Sequence, residues 1–433
     1  MRVAMFVRND VLVDARVLKE AASLRDAGHD VTIHGISRPG ASRAVEREER
    51  DGFAIVRVPL PRWNRWWRWF RAPSRLWSRI RHRGAAPPGS RMDGLDWLAM
   101  WRFGNLGWAR AAAREAGPAD VYHGHDLTGL PAAIFARRLH NASARVVYDS
   151  HELFVTSGAV VGRPSWAVAW LARRERAWAA EAHAIVTVST GYAAELGPRL
   201  GRDDVVVVHN CPPRPTGELV RTNLVREAAG IPDGAPVVLY HGGLRPGRGI
   251  AQLAEAMAEP GLERVHLVFL GFGPSRAEAE AYAAEPRFGG RIHVLDTVPP
   301  HEVVRWVSSV DVAAMPIQAH SQSYYLSTPN KMFEAFAAGV PVVASDFPGM
   351  RGIVAEDPDR PLGELCDPAE PASIAAAIRR ILALPDAERS ELGARCRRAA
   401  IERWNWETES ARLVELYGRL EPGSGAPRPP ERS

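Results

Sequence analysis

With 433 residues, 46 % of them hydrophobic and 24 % charged, the chain has the make-up of a globular protein too long for one ordinary core; two lobes are the economical division. The net charge of +5 would suggest nucleic acid as a partner, but Gly52 to Met92 alone hold ten arginines and no acidic residue, which leaves −5 on the rest and excludes a generally basic surface. No apolar run approaches the roughly 20 residues of a membrane span, and Met1 to Val7 runs straight into a strand pattern rather than a signal peptide, so a cytoplasmic protein is expected.

The first half alternates short β-rich runs with helical periodicity, as parallel βαβ units do. Strands are predicted at Arg2 to Val7, Val31 to Ile36, Ala54 to Val58, Val121 to His123, Val146 to Asp149, Ile185 to Val188 and Val205 to Val208. Between the first two, Val17, Leu18, Ala21, Ala22 and Leu24 form one helical face, closed by Gly28.

Trp63, Trp66, Trp67, Phe70, Trp77 and Ile80 share one helical face within residues 61–83, flanked by arginines. Such a helix suits an anionic membrane surface, with tryptophan at the headgroups; a core-packed helix with a solvated basic side is the competing reading. Peripheral attachment to the inner face of the membrane is therefore expected, and RNA stacking is a distant third.

Residues 1–210 thus form an N-terminal Rossmann-like lobe. A proline-rich hinge opens at Cys211, and 211–402 form a second lobe with strands at Val237 to Tyr240, Val265 to Leu270, Ile292 to Leu295, Val312 to Met315 and Val340 to Ala344. Residues 403–420 read as a helix returning to the first lobe, and 421–433 as a disordered tail. Cys211, Cys366 and Cys396 lack disulfide or metal-ligand spacing.

In open parallel sheets ligands bind beyond the carboxyl ends of the strands, so the residues just after each strand carry the chemistry. His241 to Gly249, HGGLRPGRG, is a glycine-rich loop with Arg245 and Arg248, suited to phosphate through close backbone approach at Gly242 and Gly243, amide donors and guanidinium charge. Gly271 and Gly273 begin a second such loop, a weaker signal because strand-to-helix turns often use glycine.

Ser327 to Ser345, STPNKMFEAFAAGVPVVAS, is the most pointed segment. Pro329 can start a helix whose buried face is Met332, Phe333, Phe336 and Ala337, with Gly339 and Pro341 stopping it. Asn330, Lys331 and Glu334 occupy its first turn or so, where a carboxylate can accept from a ribose diol and an ammonium can meet a phosphate. Glu334 could instead simply favour the helix dipole. Lys331 is one of only two lysines among 55 basic residues, which points to a compact ammonium that arginine does not replace.

These segments, together with Asp14 to Val17, His123 to Asp126 and Tyr148 to Phe154, resemble the family 4 glycosyltransferases, retaining enzymes of the GT-B fold, over about Arg2 to Leu420. The resemblance implies an α/β fold of two Rossmann-like lobes facing across a cleft, with the C-terminal helices crossing back. It implies transfer of a sugar from a UDP- or GDP-type donor to a saccharide or lipid-linked hydroxyl, in cell-envelope glycan or glycolipid synthesis. By similarity Glu334 holds the nucleotide ribose, Arg248 clamps the diphosphate and His125 lies near the donor sugar. The donor diphosphate would be stabilised by Arg248, Arg245 and Lys331 without an obligatory cofactor or metal. Asp126, His151 and Glu152 are expected on the acceptor side.

Two positions depart from the family pattern. Leu326 stands where the first glutamate of a pair belongs, and Gly243 where a clamp arginine belongs; Arg245 and Lys331 are the candidates to supply the missing charge. The competing functions are a sugar-nucleotide epimerase of the same fold and a non-catalytic nucleotide-sugar-binding protein.

Overall fold

The computed structural model describes residues 1–12, 14–38, 44–61 and 89–421; the tryptophan-rich stretch expected to meet a membrane surface, with Trp63, Trp66, Trp67, Phe70 and Trp77, and the tail beyond 421 lie outside them. The chain divides into two compact units, Met1–Val208 with Ser410–Ser433, and His209–Glu409.

The first unit is an eight-stranded sheet: β1 Arg2–Phe6, β2 Asp30–Ile36, β3 Glu46–Arg50, β4 Phe53–Val58, β5 Val121–His125, β6 Arg145–Ser150, β7 Ala184–Thr187 and β8 Val205–Val207. Its order is β3-β4-β2-β1-β5-β6-β7-β8. Every pairing is parallel except β3 with β4. Sequence reading missed β3, EREER, because it has no apolar face; its charged, partly exposed side chains suit a sheet edge, where they oppose further pairing.

The helix Ala15–Asp26 follows β1, its N-terminus capped by the Asp14 carboxylate accepting from Val17 N at 3.2 Å, and Gly28 beyond its end takes the left-handed φ of +87°.

The second unit is a six-stranded parallel sheet: β9 Val237–His241, β10 His266–Leu270, β11 Ile292–Leu295, β12 Val312–Met315, β13 Val342–Ser345 and β14 Gly363–Cys366. Its order is β11-β10-β9-β12-β13-β14. The short edge strand β14 was not anticipated, and β13 begins two residues later than the apolar run suggested. Strands such as β9 are buried along their whole length because helices cover both faces, and continuous runs of Val and Leu are the sequence form of that burial.

Helices Pro371–Leu382, Asp386–Glu402 and Trp406–Leu420 close the chain. The last belongs to the first unit from Ser410 onward, where the Tyr417 hydroxyl lies 2.8 Å from His123 Nδ1. Among the described residues no helix is long and apolar enough to cross a membrane. In each sheet the strand order reverses beside its first strand, between β1 and β5 and between β9 and β12. Such reversals open a crevice at the carboxyl ends of the strands, so each unit has one position marked for a ligand.

Candidate functional site

In the second unit the crevice is built from two glycine loops and one short helix. β9 ends on His241, and Gly242, Gly247 and Gly249 then all take left-handed φ values. A Cβ on Gly249 would sit 2.0 Å from the Pro316 carbonyl oxygen, so only glycine lets the loop press against the end of β12. The loop after β10 packs against this first loop. A Cβ on Gly271 would meet the Gly242 oxygen at 2.0 Å, and one on Gly273 the Leu244 oxygen at 2.1 Å. Glycine at 271 and 273 therefore has a packing reason in loop-to-loop approach, beyond the turn geometry and phosphate approach that the sequence suggested.

Three cations gather here. Lys331, on the helix Asn330–Ala337, holds its Nζ 3.6 Å from the centroid of the Tyr240 ring and beside Gly242. Burial and the charge of Arg248 hold its pKa well below the usual lysine value, against the pull of Glu334. The Arg248 guanidinium lies over Tyr324, 4.4 Å from the ring centroid. Exposed Arg245 occupies the space beside Gly243: a Cβ there would lie 3.5 Å from its Nε. Among the described residues neither arginine forms an ion pair.

Glu334 does more than favour a helix dipole, since its carboxylate lies 2.8 Å from Nε2 of buried His241 while 28 % of the side chain stays exposed. That pairing joins the end of β9 to the helix of Lys331. Sequence reading missed His241 as a partner because 93 residues separate the two. Glu334 also forms part of the wall of a cavity of about 490 Å³ within this unit, lined among others by Leu219, Pro300, His301 and Val304. Asn330 is exposed at the start of the helix.

The crevice of the first unit has a different character. Arg16, in the first turn of Ala15–Asp26, contacts Glu20 at 2.8 Å and Asp149 at 3.1 Å, and donates to the Val208 carbonyl at 2.7 Å. Asp149 also meets His151 Nε2 at 3.0 Å, and His151 Nε2 lies 3.2 Å from His125 Nδ1. Asp126 accepts from the His151 backbone N–H at 2.9 Å and lies 3.6 Å from its ring. The structure therefore joins the groups after β5 and β6 in one network. The Glu152 carbonyl accepts from Ser150 Oγ at 2.9 Å, outside this network.

Burial opposes a charged His151, but Asp126 and Asp149 outweigh it and push its pKa to about 10. Burial likewise opposes ionisation of Asp149, yet Arg16 and then His151 hold its carboxyl well below the usual range. Burial keeps His123 and His125 neutral, and raises Glu20. His125 is completely buried, with its Nδ1 3.2 Å from His151 Nε2 and 3.5 Å from Asp149, while the side chains of His151 and Asp126 are 17 % and 27 % exposed.

Glu20, His123, His125 and Asp149 each place a possible ligand atom within 4.8 Å of the others, a donor set of the kind that holds divalent ions. Arg16 already lies against both carboxylates, so a guanidinium supplies the positive charge they face. Sequence reading missed Glu20, although its i, i+4 spacing from Arg16 was a signal; Tyr417 carried none.

Residues 13–211 match the family described as glycosyl transferase 4-like domain, and residues 235–384 that described as glycosyl transferases group 1. Together they take in both crevices and most of the chain. The chain belongs to the family 4-like glycosyltransferases of the GT-B fold. A 2-deoxystreptamine glucosyltransferase of Streptomyces kanamyceticus is 26 % identical over 88 % of this chain and 92 % of its own length. A D-inositol 3-phosphate glycosyltransferase of Xylanimonas cellulosilytica is 32 % identical, but the match spans about half of each protein, 48 % of this chain and 48 % of the relative. Among solved structures, the sucrose-phosphate synthase of Thermosynechococcus elongatus aligns with TM-score 0.70 over 97 % of this chain and 99 % of its own at 19 % identity. The Anabaena protein HepE in complex with UDP-glucose aligns with TM-score 0.68 at 16 % identity over 96 % and 99 %. At these identities the structural likeness establishes the fold.

Proposed function

We propose that this family member transfers a sugar from a nucleoside diphosphate to an acceptor hydroxyl with retention at the anomeric carbon. The observation that carries this reading is the gathering of Lys331, Arg245 and Arg248 around the Gly242–Gly249 loop at the end of β9, with neither arginine ion-paired among the described residues. Guanidinium charge without an ion pair, in place before any ligand arrives, stabilises the negative charge that develops on a leaving diphosphate. Glu334, oriented by His241, is the ribose acceptor, and the cavity it borders has room for a base.

Retention is supported from the first unit. Inversion would need a base such as Asp126 or Glu152 within reach of the acceptor, and Asp126 is held by the His151 backbone N–H and ring. His125 then acts as a positioning residue, holding the ring of His151. No step requires a metal.

The test is calorimetric titration of the full chain with UDP, GDP and their sugars. One nucleotide series binds, Glu334→Ala weakens it roughly 10- to 100-fold by removing a charged acceptor, and the matching sugar nucleotide is consumed only when an acceptor is present. Conversion of the donor sugar without acceptor identifies an epimerase instead. Binding with no turnover across a broad set of acceptors identifies a non-catalytic binder.

A further inference from the structure

Several marks converge on the strand-order reversal of the first unit. On each side of it a non-glycine residue takes the left-handed region, Val11 at φ +61° in the loop after β1 and Asp126 at φ +55° at the start of the helix that follows β5. The third such residue in the described chain, Asp51, sits in the ordinary tight turn between β3 and β4. A β-branched residue at positive φ is strained, and strain of this kind is held where the surroundings are built for a ligand. A π-helical turn, Met100–Asn105, interrupts the helical stretch that leads into Leu106–Ala116, another device concentrated at functional sites.

Arg8 lies in this setting, on the loop after β1 and against the π turn: a Cβ on Gly104 would be 3.8 Å from its Nη2. Its guanidinium is half-buried, and its Nε is enclosed without a hydrogen-bond partner among the described residues. Burial lowers its pKa, and no carboxylate opposes that effect. Four other arginines of the unit face carboxylates: Arg16 meets Asp149 and Glu20, Arg57 meets Glu48 at 2.7 Å, Arg199 meets Glu175 at 3.3 Å, and Arg163 meets Asp93. Asp10, two residues from Arg8, pairs with Arg38 at 3.2 Å instead. An enclosed guanidinium without a counter-ion is costly, and at a ligand crevice an arriving anion removes that cost.

We propose that Arg8 is the anchor of an anion subsite in the first unit, which takes a phosphate group carried by the acceptor. This deepens the transferase reading and rests on it for the word acceptor. The donor diphosphate already has three cations in the second unit, so the phosphate held by Arg8 is a separate one. The subsite selects phosphorylated acceptors over their neutral counterparts.

The full chain, as wild type, Arg8→Gln and Arg8→Lys, is titrated calorimetrically with inorganic phosphate, glucose 6-phosphate, glucose and UDP or GDP. Wild type binds glucose 6-phosphate more tightly than glucose. Arg8→Gln weakens phosphate and glucose 6-phosphate by roughly 30-fold or more, Arg8→Lys falls between, and nucleotide affinity stays within about twofold in both variants. Phosphate affinity equal in wild type and Arg8→Gln overturns the proposal, as does a parallel loss of nucleotide affinity, which assigns Arg8 to the donor. Because Arg8→Gln removes an unanswered charge, it melts at or above wild type without ligand; a clear drop makes Arg8 a structural residue and also overturns the proposal. If neither UDP nor GDP binds wild type while phosphate binding still depends on Arg8, the transferase reading falls and the anion subsite stands.

Discussion

The two crevices use charge in opposite ways. In the second unit, Arg245 and Arg248 stand over glycine-lined backbone without ion pairs among the described residues, and Lys331 rests on an aromatic ring. In the first unit, Arg16, Glu20, Asp149, His151 and Asp126 answer one another within a packed network. A charge left unanswered costs the free protein stability and is recovered when an anion binds, whereas an answered network gives rigidity and adds little to ligand affinity. On the proposed reading the second unit binds and the first positions, with Arg8 the exception that carries the binding pattern into the first.

The largest expected effect attacks the closed network. Asp149→Asn leaves Arg16 and His151 facing a neutral amide inside the core and destabilises the protein by about 3–5 kcal/mol in urea denaturation. A loss below about 1 kcal/mol would mean that Asp149 is not the centre of the network.

Gly249→Ala comes next, because its methyl group meets the Pro316 oxygen at 2.0 Å in a left-handed backbone. It costs about 2–3 kcal/mol and weakens nucleotide binding as the loop lifts from β12. An unchanged melting curve with full nucleotide affinity would show that the loop is not held at this point.

Lys331→Met separates the two uses of charge most directly. It removes the ammonium but keeps the chain against Tyr240, so the free protein is as stable as wild type or up to about 1 kcal/mol more stable, while nucleotide affinity falls roughly 30-fold. Parallel loss of stability and affinity would place Lys331 with the structural residues.

The smallest effect is a pH dependence. The pKa of His151 in the folded protein, about 10, lies above its unfolded value near 6.5. Its protonated form therefore contributes stability that is complete below about pH 6.5 and is lost as pH rises through about 10. Asp126→Asn keeps a residue tolerant of positive φ but removes one of the two carboxylates, so it is less stable than wild type by about 1 kcal/mol at pH 6, with the gap closing by pH 10.5. A gap that stays constant or widens with pH would show that Asp126 does not sustain the charge.

Legibility followed the range of the interactions. Both series of βα units could be read in order, and so could the helix of Lys331 and Glu334, because apolar periodicity, glycine and proline act within a few residues. The strands β3 and β14 were missed for an equally local reason: edge strands need no continuous apolar run. His125 illustrates the opposite limit. The family resemblance placed it near the donor sugar, but its contact with His151 exists only because β5 and β6 lie side by side.

Local chemistry therefore determined the units, the loops and the kinds of charge at their ends. Which charges are answered was decided by folding, since Asp149 reaches Arg16 across 133 residues and His241 reaches Glu334 across 93. Electrostatic energy depends on distances of a few ångströms and on exclusion of water, and the chain acquires both only once its sheets have assembled.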